Sequence, residues 1–242
     1  GFVKEKKIEV MGFIFARGGS KSIPRKNLAL LGGKTLLNHA IETALTSKWI
    51  QRVVVSTDDQ EIAEIAIKGG AEVPFMRPND LAEDNSSEWK AWQHALQTLS
   101  ANDNFPIIDV FVSIPTTSPL RNYDDINRCI ELLSVSDADI VVTATETSRH
   151  PSFNMIHLET DGEVASLVKP PKNPVVNRQT VPSRVYDLTT VAYVSRPEYI
   201  LSANSIFEGT VRAVIIPPER AVDIDNQMDL DFAEFLLTKK KL

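Results

Sequence analysis

The stretch "ARGGSKSIPRKN", residues 16–27, brings Arg17, Lys21, Arg25 and Lys26 together in one short loop with two adjacent glycines and a proline. Paired glycines let a backbone turn tightly and carry its N–H groups close to an anion. Cations on several sides neutralise phosphate oxygens. Gly18 and Gly19 with Arg17, Lys21 and Lys26 therefore point to a polyphosphate guest, although a solvated basic loop is the competing reading on charge alone. Pro24 fixes the loop's course, and Asn27 offers a donor and an acceptor to a sugar hydroxyl or base edge. Neither G-x-G-x-x-G nor G-x-x-x-x-G-K-[ST] is present, so this is not a dinucleotide fingerprint or a Walker loop.

A second constellation lies far along the chain in "VDID". On an extended segment Asp223 and Asp225 project to the same side, where two carboxylates suit one hard cation such as Mg2+. Asp225 also suits the cap of a helix starting near Asn226. Met228 stands where an EF-hand needs glycine, which excludes that motif, and Asp229 and Asp231 are expected on the exposed side of the final helix. In "STDD", residues 56–59, Asp58 with Glu61 three places on reads as an N-cap before "EIAEIA". Cys129, the single cysteine, sits in an apolar helical pattern and reads as packing, with no disulfide or cysteine-rich metal site available. His39 and His94 read as ordinary helix residues, and His150 and His157 fall elsewhere; none shows zinc-ligand spacing. Trp89 and Trp92, three apart on one helix face, have core or interface spacing rather than that of a base-stacking platform.

These residues need elements to position them. The 242 residues suffice for one domain with an excursion, and 43% hydrophobic against 24% charged residues is ordinary for a soluble globular chain. The net charge of −6 argues against a general nucleic-acid surface, while a local cationic loop still attracts anions. The apolar runs are too short to cross a bilayer and no signal segment opens the chain, so a cytoplasmic protein without membrane contact is expected. Strand-length apolar runs alternate with amphipathic helices: "IEVMGFIFA", "TLLNHAIETALTS", "RVVVSTD", "QEIAEIAIKGG", "AEVPFM", and onward through "SSEWKAWQHALQTLS", "IIDVFVSIP", "DDINRCIELLSV" and "ADIVVTATE". That grammar predicts an α/β, mostly parallel, doubly wound sheet. In such sheets the loop after the first strand is a common phosphate site. From about residue 148 to 186 the pattern breaks into a small β excursion around the turn "DG". It resumes with "LTTVAYVS", "RPEYILSA" and "TVRAVIIPP", and ends in the helix "QMDLDFAEFLLTKK".

"FARGGSKSIPRKN" resembles the signature loop of the CMP-sugar-acid synthetases, the acylneuraminate cytidylyltransferase family. "GGKTLLNHAIETAL", "QRVVVSTDDQEIAEIA", "AEVPFMRPNDLAEDNSS", "TSPLR" and "VDIDNQMDLDFAE" resemble further family blocks, in the family's order. The resemblance implies a Rossmann-like sheet of the nucleotide-diphospho-sugar transferase type. It also implies one cytidylyltransferase domain over 1–242, with the excursion at 148–186 joining a partner subunit in a homodimer. The implied reaction is Mg2+-dependent transfer of CMP from CTP to the anomeric hydroxyl of an α-keto sugar acid, with release of pyrophosphate. Arg17, Ser20, Lys21 and Lys26 match positions that embrace the triphosphate; Asn27 matches a ribose or cytidine contact. Arg25 reads as a solvated neighbour. Arg77 and Ser86 match cytosine contacts, although Arg77 could equally pair with a carboxylate and Ser87 is the alternative helix cap. Thr117, Arg178, Gln179, Tyr186 and Asp187 are the implied acceptor residues. Here the chain departs from the family: Pro115 and Thr116 replace a glutamine and a proline, and Asp187 stands near the place of an arginine. A carboxylate there repels the acceptor's own carboxylate, which points to an acid decorated differently from N-acetylneuraminate. Two rivals stay open: a sugar-1-phosphate nucleotidyltransferase or glycosyltransferase, and a catalytically silent nucleotide-binding scaffold.

Overall fold

The structure, a computed structural model, describes residues 7–83, 87–181 and 184–240. Strand β1 (Val10–Phe15) opens the fold, and the tiny strands β2 (Leu30–Leu31) and β3 (Lys34–Thr35) form a ribbon ahead of helix α1 (Leu36–Thr46). There follow β4 (Arg52–Ser56), α2 (Gln60–Lys68), α3 (Glu88–Ser100), β5 (Val110–Ser113), α4 (Tyr123–Val135) and β6 (Ile140–Glu146). The excursion supplies β7 (Ile156–Leu158) and β8 (Ala165–Leu167). The chain then returns through β9 (Tyr186–Ser195), α5 (Pro197–Ser202), β10 (Val211–Ile215) and α6 (Gln227–Lys240).

The central sheet has six strands in the order β10-β6-β9-β5-β1-β4. β4, β1 and β5 pair in parallel, as do β6 and β10, whereas β9 runs antiparallel between β5 and β6. The sheet is thus the mostly parallel one that the alternation predicts, with one reversed strand. The reversal follows from the connection: among the described residues no crossover α-helix separates β6 from β9, so the chain comes back beside β6 in the opposite direction.

Both faces of the sheet are covered, as period-two alternation requires. Val10 and Ile14 of β1 face Leu37, Ala40 and Ile41 of α1 and Ile126 and Ile130 of α4. Met11 and Phe13 face Trp89, Trp92 and Leu99 of α3 and Ile200 of α5. The two tryptophans are core residues, Trp92 lying 5.2 Å from the Phe111 ring and Trp89 5.8 Å from Tyr199. Cys129 is fully buried on α4, and burial pushes its thiol up to about 12, far from a reactive thiolate. A third, smaller cluster of Ile23, Leu31, Leu36, Leu120, Ile224, Leu230 and Ala233 fastens α6 to the loop after β1.

Two local expectations are corrected. "AEVPFM" forms a single bridge between Val54 and Glu72 rather than a strand, and Pro74 two residues on has no N–H to extend the ladder. The cap of α2 is Asp59, which accepts from the Ile62 N–H at 3.0 Å, rather than Asp58. In the excursion, β7 and β8 pair antiparallel about Gly162, whose φ is 78°. Asp161 Oδ1 accepts from the N–H groups of Glu163 and Val164 to close that turn. No helix among the described residues is long and apolar enough to cross a membrane.

Candidate active site

The loop leaves the carboxyl end of β1 and is stitched to its neighbours by its own side chains. Asn27, buried, donates from Nδ2 to the Arg17 carbonyl at 2.9 Å and accepts from Thr116 Oγ1 at 2.6 Å. Those bonds hold the loop's two ends together and tie them to the segment after β5. Ile23 drops into the third core cluster and fixes the middle. A cleft of about 230 Å3 results, walled by Arg17, Gly19, Ser20, Lys26 and Asn27 on the loop side. Phe15, Arg77, Glu88, Thr116 and Thr117 lie across it. Lys21 sits exposed on the loop, outside the cleft wall. Gly18 turns its N–H to Asp58 Oδ1 at 2.8 Å rather than to the cleft, so of the two glycines it is Gly19 that walls the cleft.

The distant acidic segment meets this loop. Ile224 is fully buried; its N–H donates to the Thr117 carbonyl at 2.8 Å, and its carbonyl accepts from Lys26 Nζ at 3.3 Å. Ser22 Oγ donates to the Asp225 carbonyl. With Ile224 pointing inward, Asp223 and Asp225 on either side are both exposed, as the alternation of an extended segment requires. Thr190 Oγ1 donates to Asp223 Oδ1 at 3.3 Å and shares hydrogen bonds with Thr117 at 2.7 Å and Ser118 at 2.8 Å. The Asp223 carboxyl is pushed above the usual carboxylate range, chiefly by desolvation and then by the charge of Asp225. Asp225 does not cap α6. Asn226 does, accepting from the Asp229 N–H at 2.9 Å while Asp229 Oδ2 accepts from the Asn226 N–H at 3.2 Å. Asp229 thus serves the helix end, and Asp231 is exposed.

On the other side of the cleft Arg77 is almost wholly buried. Three of its N–H groups go to Ser56 Oγ, the Ser56 carbonyl and the Leu81 carbonyl at 3.1–3.2 Å, so it is held by neutral oxygens. Its guanidinium lies 5.8 Å from the Phe15 ring. Burial lowers its pKa, as it raises that of Glu88 at the start of α3. Ser86 lies outside the described residues.

The acceptor candidates divide. Thr117 belongs to the cleft just described. Arg178, Gln179 and Tyr186 instead line a second cavity of about 210 Å3 with Glu146, His150 and Arg184, where the excursion meets the ends of β6 and β9. Asp187 is exposed on β9 opposite Thr145 and walls neither cavity. Sequence reasoning missed Thr190 and Arg121. Buried Arg121 donates to the carbonyls of Val191 at 2.6 Å, Thr190 at 3.2 Å and Pro115, clamping the turn that carries Thr117 to β9. "TSPLR" was legible as a motif, but nothing in the spacing ties Thr190 to partners 73 and 33 residues away.

A doubly wound sheet whose first loop gathers cations, with two carboxylates on a segment whose carbonyls accept hydrogen bonds from that loop's side chains, defines a nucleotide-binding transferase. The chain belongs to the cytidylyltransferase family, whose model matches residues 11–238, and is a nucleotidyltransferase. It is 32% identical to the post-translational flagellin modification protein B of Campylobacter coli, over 97% of both chains. It is 30% identical to the CMP-N,N'-diacetyllegionaminic acid synthase of Campylobacter jejuni, again over 97% of both. A pseudaminic acid cytidylyltransferase of the same species is 32% identical over 91% of this chain and 93% of that one. Among solved structures, CMP:2-keto-3-deoxy-manno-octonic acid synthetase complexed with CTP superposes with a TM-score of 0.70, at 16% identity, over 96% of this chain and 99% of that one. At that identity the likeness is one of fold.

Proposed function

We propose that this protein transfers CMP from CTP to the anomeric hydroxyl of a nonulosonic or related α-keto sugar acid and releases pyrophosphate. The observation that carries the reading is the hydrogen-bonded union of the cationic loop with the Asp223–Asp225 segment through Lys26, Ser22 and Thr117. Arg17, Ser20, Lys21 and Lys26 neutralise the triphosphate, and Asn27, Arg77 and Ser86 receive the nucleoside. Catalysis of this kind is mostly positioning and charge stabilisation. Asp223 and Asp225 fit Mg2+: they are two mutually repelling carboxylates at the edge of a cationic cleft. Among the described residues no third His, Cys, Asp or Glu joins them. Mg2+ binds through one or two carboxylates together with substrate phosphates, and when present it neutralises charge on the phosphate oxygens.

Thr117, Arg178, Gln179, Tyr186 and Asp187 receive the acceptor acid, with the second cavity on its side. The relatives named for legionaminic and pseudaminic acids favour an acceptor of that kind over N-acetylneuraminate, in keeping with a carboxylate at Asp187. The protein works as a homodimer joined through the excursion, and in the cytoplasm. Pyrophosphate release from CTP, followed across a panel of free keto sugar acids and sugar 1-phosphates, tests the reading. Release and a CMP adduct in the mass spectrum are expected with a free keto acid alone. Turnover of a sugar phosphate, or CTP binding without any adduct, overturns it. Turnover of N-acetylneuraminate as fast as that of the legionaminate and pseudaminate types overturns the acceptor preference.

A further inference from the structure

Arg25, which reads from sequence as a solvated neighbour in the loop, is bound on three sides. Its Nη1 donates to Asp59 Oδ2 at 2.6 Å, and its Nη2 to Asp59 Oδ1 at 3.0 Å and to Glu61 Oε2 at 2.8 Å. The first two bonds form the bidentate fork that a guanidinium makes best. Arg25 is also the one non-glycine residue among those described with a positive φ, 54°, a conformation L side chains rarely adopt. Asp59 is itself fixed, because the same carboxylate caps α2. Its neighbour Asp58 takes the N–H of Gly18 at 2.8 Å. Gly18 presses so closely on Asp59 that a Cβ would stand 2.9 Å from Oδ2. Two successive aspartates at one helix end therefore grip the loop near its start, at Gly18, and near its end, at Arg25.

From these contacts we infer that Asp58, Asp59 and Arg25 form a rear clamp that presets the loop for the triphosphate, so that they are positioning residues rather than ligands of CTP. The reasoning is electrostatic as well as geometric. Four cations in one short loop repel one another before an anion arrives, and a loop free to splay would pay to be gathered at binding. The clamp neutralises Arg25, a cation outside the cleft wall, and holds the backbone between its two grips. Arg17, Gly19, Ser20 and Lys26 are thereby left facing inward. The Asp59 carboxyl falls to about 2 in doing so, chiefly under the hydrogen bond from Arg25.

This inference rests on the loop holding the CTP triphosphate, and the experiment separates the two. Initial rates of pyrophosphate release are measured against CTP and against an accepted keto acid, with CTP affinity by calorimetry, for the wild type and for Arg25→Ala, Arg25→Gly, Arg25→Lys, Asp59→Asn and Arg25→Ala/Asp59→Asn. Asparagine still caps a helix, so Asp59→Asn removes the ion pair while α2 keeps its start and Tm stays within about 4 °C. The expected result is a roughly 10-fold rise in the CTP KM and Kd for Arg25→Ala and Asp59→Asn, equivalent to about 1.4 kcal/mol, with the acceptor KM within about twofold of wild type. Arg25→Gly, which accepts the positive φ without strain, is expected to share the defect, Arg25→Lys to recover part of it, and the double variant to be no worse than either single one. A CTP KM unchanged in Arg25→Gly and Asp59→Asn, or a loss of Tm without a change in KM, overturns the clamp alone. Absence of CTP binding and turnover in the wild type overturns the reading of the loop and the clamp with it.

Discussion

At the scale of single residues, the site is defined by charges brought together against their own repulsion. Desolvation and then the charge of Asp225 make Asp223 costlier to ionise, and a cation or the neighbouring lysine relieves that cost. Asp223→Asn keeps an oxygen to accept the Thr190 hydroxyl, so the fold is expected to stand. On the proposed reading, what is lost is one of two charges for Mg2+. The expected outcome is a fall in kcat/KM of about 100-fold, the scale seen when a single preorganised electrostatic group is removed from an active site. Titrating Mg2+ into the assay checks it: raising the metal concentration should recover part of the lost rate in Asp223→Asn. A variant whose rate is insensitive to Mg2+, or equal to wild type at every concentration, would leave Asp223 without a metal role.

At the scale of elements, the helices and the parallel core were legible because each writes a local period into the chain. The strands β1, β4 and β5 appear as apolar runs, and "QMDLDFAEFLLTKK" is α6 residue for residue. What was illegible depends on partners remote in sequence. The reversal of β9 belongs to the connection and not to its residues; Thr190 belongs to the site through side chains on two other segments. The cap of α2 shifted by one place because two adjacent aspartates offer the same chemistry, and only the turn of the backbone decides which one faces the helix. That choice has a measurable consequence. A carboxyl held down to about 2 by Arg25 stabilises the folded state at pH values above its unfolded pKa near 4, and the stabilisation disappears as pH falls toward 2. Arg25 is 41% exposed, so solvent screening reduces the contribution to about 1 kcal/mol. Asp59→Asn is accordingly expected to lower Tm by about 2–4 °C at pH 7 and to match the wild type as the pH approaches 2. A Tm difference that stays constant across that range in thermal melts would show that the ion pair is not its source.

At the scale of the whole molecule, the excursion is the part that does not stand by itself. Its hairpin has two strands of three residues, and a two-stranded sheet is at best marginally stable in water. The register puts Ile156 opposite Leu167 and Leu158 opposite Ala165 on one face, with His157 and Ser166 on the other. That apolar face is largely uncovered, Ile156 being 57% and Leu158 59% exposed, and Val164 at the hairpin's end is exposed as well. Contiguous apolar surface of this kind marks an interaction site, and a second copy of the hairpin offers a self-complementary surface about a twofold axis. Arg178, Gln179 and Tyr186 line a cavity at the root of the same excursion, so a partner that steadies the hairpin also steadies the side proposed for the acceptor. Ile156→Asp combined with Leu158→Asp places two charges in that face without touching the nucleotide cleft. The expected outcome is a shift from dimer to monomer in light scattering, with CTP affinity within about twofold of wild type and the acceptor KM raised by about 10-fold, the cost of ordering a few segments at binding. If the double variant remains a dimer, the subunits join elsewhere; if the wild type is itself a monomer, the hairpin's apolar face has some other occupant.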